Sequence, residues 1–234
     1  IVLDLAILAA GWANVPIPAF FSVTQKQHAL QDAGVSLVLT DMTASWQALY
    51  PESEVIAEWL VSGKAVTVLR IQPNDRTATV QKITYTSGTT GAPKGVCLSA
   101  QTMWQVADSI RAMTQPGAAD RHFCVLPLAT LLENVAGVYA TLLGGASCTL
   151  LPSSVIGLSG ASGLDIKKLL ATLKQAQAST AIFTPELLHA LVLCLEAGET
   201  TPAHLRFLAV GGASVSPALL ARAQQLKLPV YEGY

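Results

Sequence analysis

The side chains best suited by type and spacing to do chemistry lie between Thr86 and Lys94. Thr86, Ser87, Thr89 and Thr90 bring hydroxyls, Gly88, Gly91 and Gly95 bring backbone freedom, and Lys94 brings a compact positive charge behind Pro93. Glycine lets the chain turn sharply and present its N–H groups to an anion. Hydroxyls donate hydrogen bonds to phosphate oxygens, and an ammonium adds a point charge. Such a composition suits the cradling of a phosphate chain. It is not a Walker A loop: counting from Gly88, Pro93 stands where the second glycine belongs, and Gly95 follows Lys94 in place of Ser or Thr. A plain Ser/Thr/Gly linker is the competing reading, but a linker has no use for lysine behind proline at the end of a strand.

A loop of this kind needs a rigid frame. Residues 36–39, 65–69 and 83–86 read as strands in the first half, and 123–126, 147–150, 180–183 and 207–210 in the second. These are continuous apolar runs rather than alternations, the pattern of parallel strands covered on both faces. Helices are predicted over 3–10, 25–33 (stopped by Gly34), 165–177, 186–196 behind Pro185, and 217–226 capped by Ser216. Alternating strands and helices predict an α/β fold with largely parallel sheets. The loop-like stretch 113–120 suggests a division into 1–115 and 116–234, and the Gly/Ser-rich stretch 152–163 reads as a long surface loop.

Composition narrows the function. Charged residues make up 12% of the chain and hydrophobic ones 51%, against about 25% charged in ordinary soluble domains. Disorder is excluded, since disordered chains are polar and charged. Lys+Arg 14 against Asp+Glu 15, with no basic block, argues against nucleic acid as a partner. The uncharged run 5–25 holds Gly11, Asn14, Pro16 and Pro18, so no transmembrane segment is predicted. The missing charge then reflects sheets buried on both faces and apolar surface turned toward other parts of the protein, and it predicts self-association through an exposed apolar face. Cys97, Cys124, Cys148 and Cys194 form no C-x-x-C pair, and His28, His122, His189 and His204 are equally scattered. No metal site is predicted from them; free thiols in a reducing cytoplasm are.

Residues 85–96 resemble the phosphate loop of the adenylate-forming superfamily, which includes acyl-CoA synthetases, firefly luciferases and peptide-synthetase adenylation domains. Further segments follow in that family's order. Ala10-Gly11-Trp12-Ala13-Asn14-Val15-Pro16 is similar to its "aG-x-x-x-vP" segment, and Leu126-Pro127-Leu128 with Glu133 to the "LPL-x-H-x-x-E" motif of its fatty-acyl members. Leu205-Arg206-Phe207 through Gly211-Gly212-Ala213, then Glu232-Gly233-Tyr234, resemble its adenine site. The resemblance covers essentially the whole chain. It implies two α/β subdomains of the family's large N-terminal domain, with helices on both faces of the sheets.

The resemblance also implies two half-reactions that use ATP, Mg2+ and coenzyme A. A carboxylate attacks the α-phosphate of ATP, giving an acyl-adenylate and pyrophosphate; a thiol of coenzyme A or of a carrier-protein arm then takes the acyl group. In that scheme Ser87, Gly88, Thr89, Thr90, Gly91 and Lys94 hold the phosphates, with Thr86 and Lys94 as catalytic groups. Gly211, Gly212 and Ala213 admit the adenine to the backbone, Glu232 and Gly233 belong to the same site, and Tyr234 stacks on the ring. Leu128, Thr130 and Glu133 belong to the acid pocket, although Glu133 reads equally well as a carboxylate lining the core. Residues 126–143 likewise read either as pocket lining or as a buried helix.

Two departures stand out. Thr130 occupies the place of the fatty-acyl motif's histidine, and Ser99-Ala100-Gln101-Thr102 stands where many members read "S/T-H-x-N". The chain also runs from Ile1 to Tyr234, stopping ahead of the Thr/Ser and Glu of the family's "YG-x-TE" motif, the ribose-binding aspartate and the small domain with the catalytic lysine. The expectation is a fragment with negligible adenylation activity of its own. The function implied is that of a carboxylate–CoA ligase for fatty or other hydrophobic acids. Loading of a carrier protein and a non-catalytic nucleotide-binding relative are the alternatives.

Overall fold

The computed structural model describes residues 1–61, 63–72, 80–86, 93–159 and 163–233. The chain resolves into two compact units, Val2–Ala100 and Gln101–Tyr234, with Ile1 grouped with the second.

The first unit opens with α1 (Val2–Ala9). Asp4 on this helix meets the buried Lys82 Nζ at 2.8 Å, and the Asn14 amide donates to the same carboxylate. Burial pushes the Lys82 ammonium below its usual range, and Asp4 pulls it back up. Next, α2 (Val23–Asp32) starts in a capping box: Ser22 Oγ accepts from Gln25 N–H at 3.2 Å, and the Gln25 side chain accepts from Ser22 N–H at 2.9 Å. Then come β1 (Leu37–Thr40), α3 (Thr43–Leu49), β2 (Glu54–Val61) and β3 (Lys64–Arg70). The three strands form a sheet in the order β1-β3-β2. Finally β4 (Lys82–Thr86) and β5 (Lys94–Leu98) form a two-stranded ribbon.

Every strand pairing in this unit is antiparallel among the described residues, apart from an isolated bridge at Asn14. The parallel pairing predicted from the apolar runs therefore does not hold here. The reason is visible in β3: Val66, Thr67, Val68 and Leu69 are consecutively buried because β3 lies between β1 and β2 and is enclosed on both faces. Continuous apolarity reports enclosure, not strand direction.

The second unit carries the parallel sheet. After α4 (Ala100–Thr114) come β6 (Arg121–Phe123), a π-helical segment (Leu132–Tyr139) running into α5 (Ala140–Leu143), β7 (Ser147–Thr149), β8 (Leu158–Ser159) and β9 (Gly163–Leu164). There follow α6 (Ile166–Gln175), β10 (Thr180–Phe183), α7 (Pro185–Glu196), β11 (Phe207–Val210), α8 (Pro217–Gln225) and β12 (Val230–Glu232). Five strands lie parallel in the order β12-β11-β10-β6-β7, a mixed α/β architecture with helices flanking the sheet. Asp165, Thr184 and Ser216 cap α6, α7 and α8 by accepting the N–H three residues on, as their types predict.

Strand alternation divides the side chains. Phe123, Ala181, Phe183, Leu208 and Val210 face the main core with Leu169 and Leu173 of α6, Leu188 and Leu191 of α7 and Ala223 of α8. The alternate positions, His122 and Thr180, face the other way. There the π-helical segment packs, and its Tyr139 stacks on Trp104 of α4 at 4.8 Å between ring centroids. No described helix is long and apolar enough to cross a membrane.

Arg206, at the entrance to β11, ties the start of the sheet together. Its guanidinium makes a bidentate pair with Asp120, both bonds 2.7 Å, and also donates to the Thr114 and Gln115 carbonyls. Ser179 Oγ and Gly117 N–H donate to the same carboxylate. The Arg206 fork beside Asp120 holds its carboxyl well below the usual carboxylate range. A depressed carboxyl contributes stability that is present above the unfolded value of about 3.9 and is lost as pH falls through the folded value. Asp120→Asn is therefore expected to cost about 1–2 kcal/mol at pH 7, discounted for the exposed side of the arginine. Urea titrations of both proteins check this: the gap between them holds from pH 7 to 5 and shrinks below pH 4.

Candidate functional site

The two ends of the Ser/Thr/Gly stretch are fixed by the ribbon and by α2. Thr86 and Lys94 face each other as the terminal pair of the ribbon, both exposed. One step in, Tyr85 pairs with Gly95. A Cβ on residue 95 would come within 3.1 Å of Tyr85 Cζ, so glycine there leaves the ring its place against the strand. Tyr85 is buried, and its hydroxyl donates to Asp32 Oδ2 at 2.7 Å; burial first and the Asp32 carboxylate second raise the phenol above its usual range. Four residues before Asp32 on α2, His28 Nε2 lies 3.0 Å from the Pro93 carbonyl, which can only accept, so that nitrogen donates. Neighbouring positions on one face of α2 thus grip the chain on either side of the predicted phosphate loop. Ser87, Gly88, Thr89, Thr90 and Gly91 lie outside the described residues, as does Tyr234.

In the second unit the predicted nucleotide and acid residues sit at the carboxyl ends of the parallel strands. Gly211 N–H donates to Phe183 O at 3.1 Å and Gly233 N–H to Val210 O at 2.9 Å, extending the ladder just beyond β11 and β12. A Cβ on Gly211 would lie 3.0 Å from the Gly233 carbonyl and 3.2 Å from Leu132 Cδ2. The segments 211–213, 230–233 and the start of the π-helical segment therefore converge. Gly212 turns at φ +88°, a conformation that favours glycine, and leads into exposed Ala213. Glu232 accepts from Val215 N–H at 3.2 Å, bracing the Gly211–Ala213 turn from β12. Tyr231 stacks on Phe207 at 4.7 Å. The strand order reverses between β6 and β10, the strand whose Phe183 carbonyl takes the Gly211 N–H: β6 connects outward to β7, whereas β10 leads the other way to β11 and β12. The crevice beyond the carboxyl ends of strands at such a reversal is where open α/β sheets bind ligands.

Leu128 and Thr130 belong to the turn that leaves β6 at this reversal. Both are half-buried, and Thr130 N–H closes the turn onto Pro127 O at 2.9 Å. Glu133 lies deeper. Its side chain is fully buried, with Oε2 accepting from Val125 N–H at 3.2 Å and Leu126 N–H at 2.8 Å, and Oε1 lying 2.7 Å from His122 Nε2. His122 Nδ1 reaches Thr180 Oγ1 at 2.9 Å. These bonds explain why the sheet pairing stops short of the predicted residue 126: Cys124 N–H still reaches Thr149 O of β7 at 3.0 Å, but the Val125 and Leu126 amides turn from the ladder to Glu133. His122, Cys124 and Glu133 form a close cluster of possible metal ligands. Glu133 and His122 are already hydrogen-bonded, and a site containing imidazole and thiol suits a softer ion than Mg2+, whose preference is for oxygen ligands and water. The cluster thus gives Mg2+ no home. Sequence reasoning missed His28, Asp32 and Tyr85 in the first unit and His122 in the second; nothing in their spacing marks them, because strand pairing and helix packing within each unit bring them to their partners.

One unit whose parallel sheet ends in glycine turns, and one whose ribbon ends in an exposed lysine, make up an α/β architecture of the adenylate-forming type. The chain belongs to the AMP-binding enzyme family, whose model matches residues 1–234. It is 28% identical over 210 residues to surfactin synthase subunit 1 of Bacillus subtilis (strain 168), covering 89% of this chain and 5% of that protein. It is 27% identical over 254 residues to an oxalate–CoA ligase of Arabidopsis thaliana, covering 100% of this chain and 47% of the ligase. A malonyl-CoA ligase solved with methylmalonyl-CoA and AMP has the same fold at a TM-score of 0.75 and 22% identity, over 100% of this chain and 49% of that one. The chain thus spans about half the length of the ligases it matches and a small part of the surfactin synthase subunit.

Proposed function

We propose that the protein carrying this chain is an ATP-dependent ligase that activates a fatty or other hydrophobic carboxylic acid as its acyl-adenylate and passes the acyl group to coenzyme A. The observation that carries this reading is the convergence of Gly211, Gly233 and Leu132 at the carboxyl edge of the parallel sheet, with the Leu128–Thr130 turn leaving β6 at the same edge. Backbone without side chains suits the flat face of an adenine, and the half-buried Leu128 suits an apolar acid. In the first step a carboxylate oxygen bonds to the α-phosphorus as the bond to pyrophosphate breaks. In the second a thiol sulfur bonds to the acyl carbon and AMP leaves with the bonding electrons. Thr86 and Lys94, with Ser87, Thr89 and Thr90, hold the charge that gathers on the departing pyrophosphate. Glu232 keeps the Gly211–Ala213 turn in place, and Tyr234 packs against the base. Mg2+ would screen the phosphates when bound.

Similarity to a dimodular nonribosomal peptide synthase favours a second acceptor, the thiol arm of a carrier protein. Pyrophosphate release by the full-length protein against a panel of carboxylic acids tests the first half-reaction. Supplying coenzyme A or a carrier with its arm then separates the acceptors by which thioester accumulates. ATP binding with no acid-dependent pyrophosphate release would overturn the ligase reading and leave a nucleotide-binding relative.

A further inference from the structure

Glu133 has no access to solvent, yet it controls the chain that leads to the proposed acid pocket. Its carboxylate takes the N–H groups of Val125 and Leu126, the two residues that carry the chain from β6 toward the turn at 127–130. From the other side the turn is bonded into the same segment: Thr130 O accepts from Asn134 N–H at 2.9 Å, next to Glu133 itself. His122 Nε2 must donate, because a carboxylate only accepts, and Thr180 can then donate to Nδ1. This chain of bonds runs from β10 through β6 to the pocket turn.

We infer that Glu133, oriented by His122, is the positioning residue that sets the Leu128–Thr130 turn for the acid, an inference that rests on the ligase reading above. It does not touch the acid and transfers no proton to it. Leucine at 133 removes the acceptor while leaving a side chain of similar bulk, so two buried amides and one imidazole lose their partner. Glutamine keeps an oxygen for the amides and offers its NH2 to His122, whose other tautomer still bonds Thr180.

The test compares E133L, E133Q and T130A in the full-length protein. E133L is expected to raise the KM for the acid on the order of tenfold, with the KM for ATP within about twofold. E133Q is expected to return the acid KM to within about threefold of the parent. The loss caused by T130A should be smaller in the E133L background than alone, since both act on one turn. Hydrogen exchange supplies a readout without turnover: the Val125 and Leu126 amides lose protection in E133L and regain it in E133Q, while β10 and β11 stay protected. Should E133L not fold, H122Q, which leaves both backbone bonds intact, gives the same shift at smaller size. An unchanged acid KM with only less active enzyme, or E133Q as impaired as E133L, overturns the inference. Absence of acid-dependent pyrophosphate release in the parent would sink the ligase reading instead, and the exchange data would still decide whether Glu133 holds the turn.

Discussion

Replacing Lys94 with methionine in the full-length protein is expected to lower acid-dependent pyrophosphate release by on the order of a hundredfold, the loss measured when one preorganised donor to developing charge is removed. The argument starts from placement. Lys94 opens β5 opposite Thr86, and its side chain is exposed, so methionine there leaves no cavity and buries no orphaned charge. The melting temperature should accordingly move by no more than about 2 °C. The frame remains intact because it depends on other groups: Tyr85 on Asp32, His28 on the Pro93 carbonyl, and Gly95 beneath the Tyr85 ring. What changes is the electrostatics. As the bond from the α-phosphorus to pyrophosphate breaks, charge grows on the leaving oxygens, and an ammonium already held at the end of a strand answers it without reorganising. Lys94→Arg should recover only part of the rate, because a planar fork does not replace a compact point charge. A parent-like rate for K94M at saturating ATP would remove Lys94 from the catalytic groups.

How much of this was legible in the residues differs between the two units. In the second, Pro185, the Ser216 cap and the runs at 180–183 and 207–210 set helices and strands where the structure has them, because each signal acts over a few residues. In the first, the run at 65–69 marked a strand but not its partner. Pairing direction depends on β2, whose apolar residues Val55, Ile56, Trp59 and Leu60 stand exposed, so their pattern does not report which way the strand runs. The same limit applies to the site. Glycine, hydroxyl and lysine at close spacing suggest a phosphate loop by composition alone, and residues 87–92 of it lie outside the described residues. Glu133 declared only that a charge stood in an uncharged stretch, with pocket and core equally consistent. Its partner His122 lies on β6, and the Thr180 hydroxyl on β10; the bonds among them exist only once those strands lie side by side. Long-range pairing, not local propensity, carries that information.

Gly137→Ala tests the same network through sterics and is expected to destabilise the protein by about 2–4 kcal/mol. Gly137 lies one turn beyond Glu133 in the π-helical segment. A Cβ built on it falls 2.6 Å from His122 Nε2 and still closer to Glu133 Oε1, nearer than real Cβ atoms approach other atoms. The effects oppose one another. Alanine in a helical interior gains roughly 1 kcal/mol over glycine. Overpacking a buried site costs about 1–3 kcal/mol, and displacing the carboxylate from buried N–H partners adds about 1–3 kcal/mol. Neither neighbour can yield cheaply, since Glu133 is held by three bonds and His122 by two. The costs therefore exceed the gain. Gly117 supplies the control, because a Cβ there meets no heavy atom within 4 Å and its N–H to Asp120 survives the change. Urea or thermal unfolding of G137A and G117A decides the matter: a drop on the order of 4–12 °C for the first and under about 2 °C for the second. Equal melting temperatures would mean that the His122–Glu133 pair tolerates a shift the packing does not predict. Adding E133L should make the G137A penalty shrink, since the oxygen it strikes is then gone.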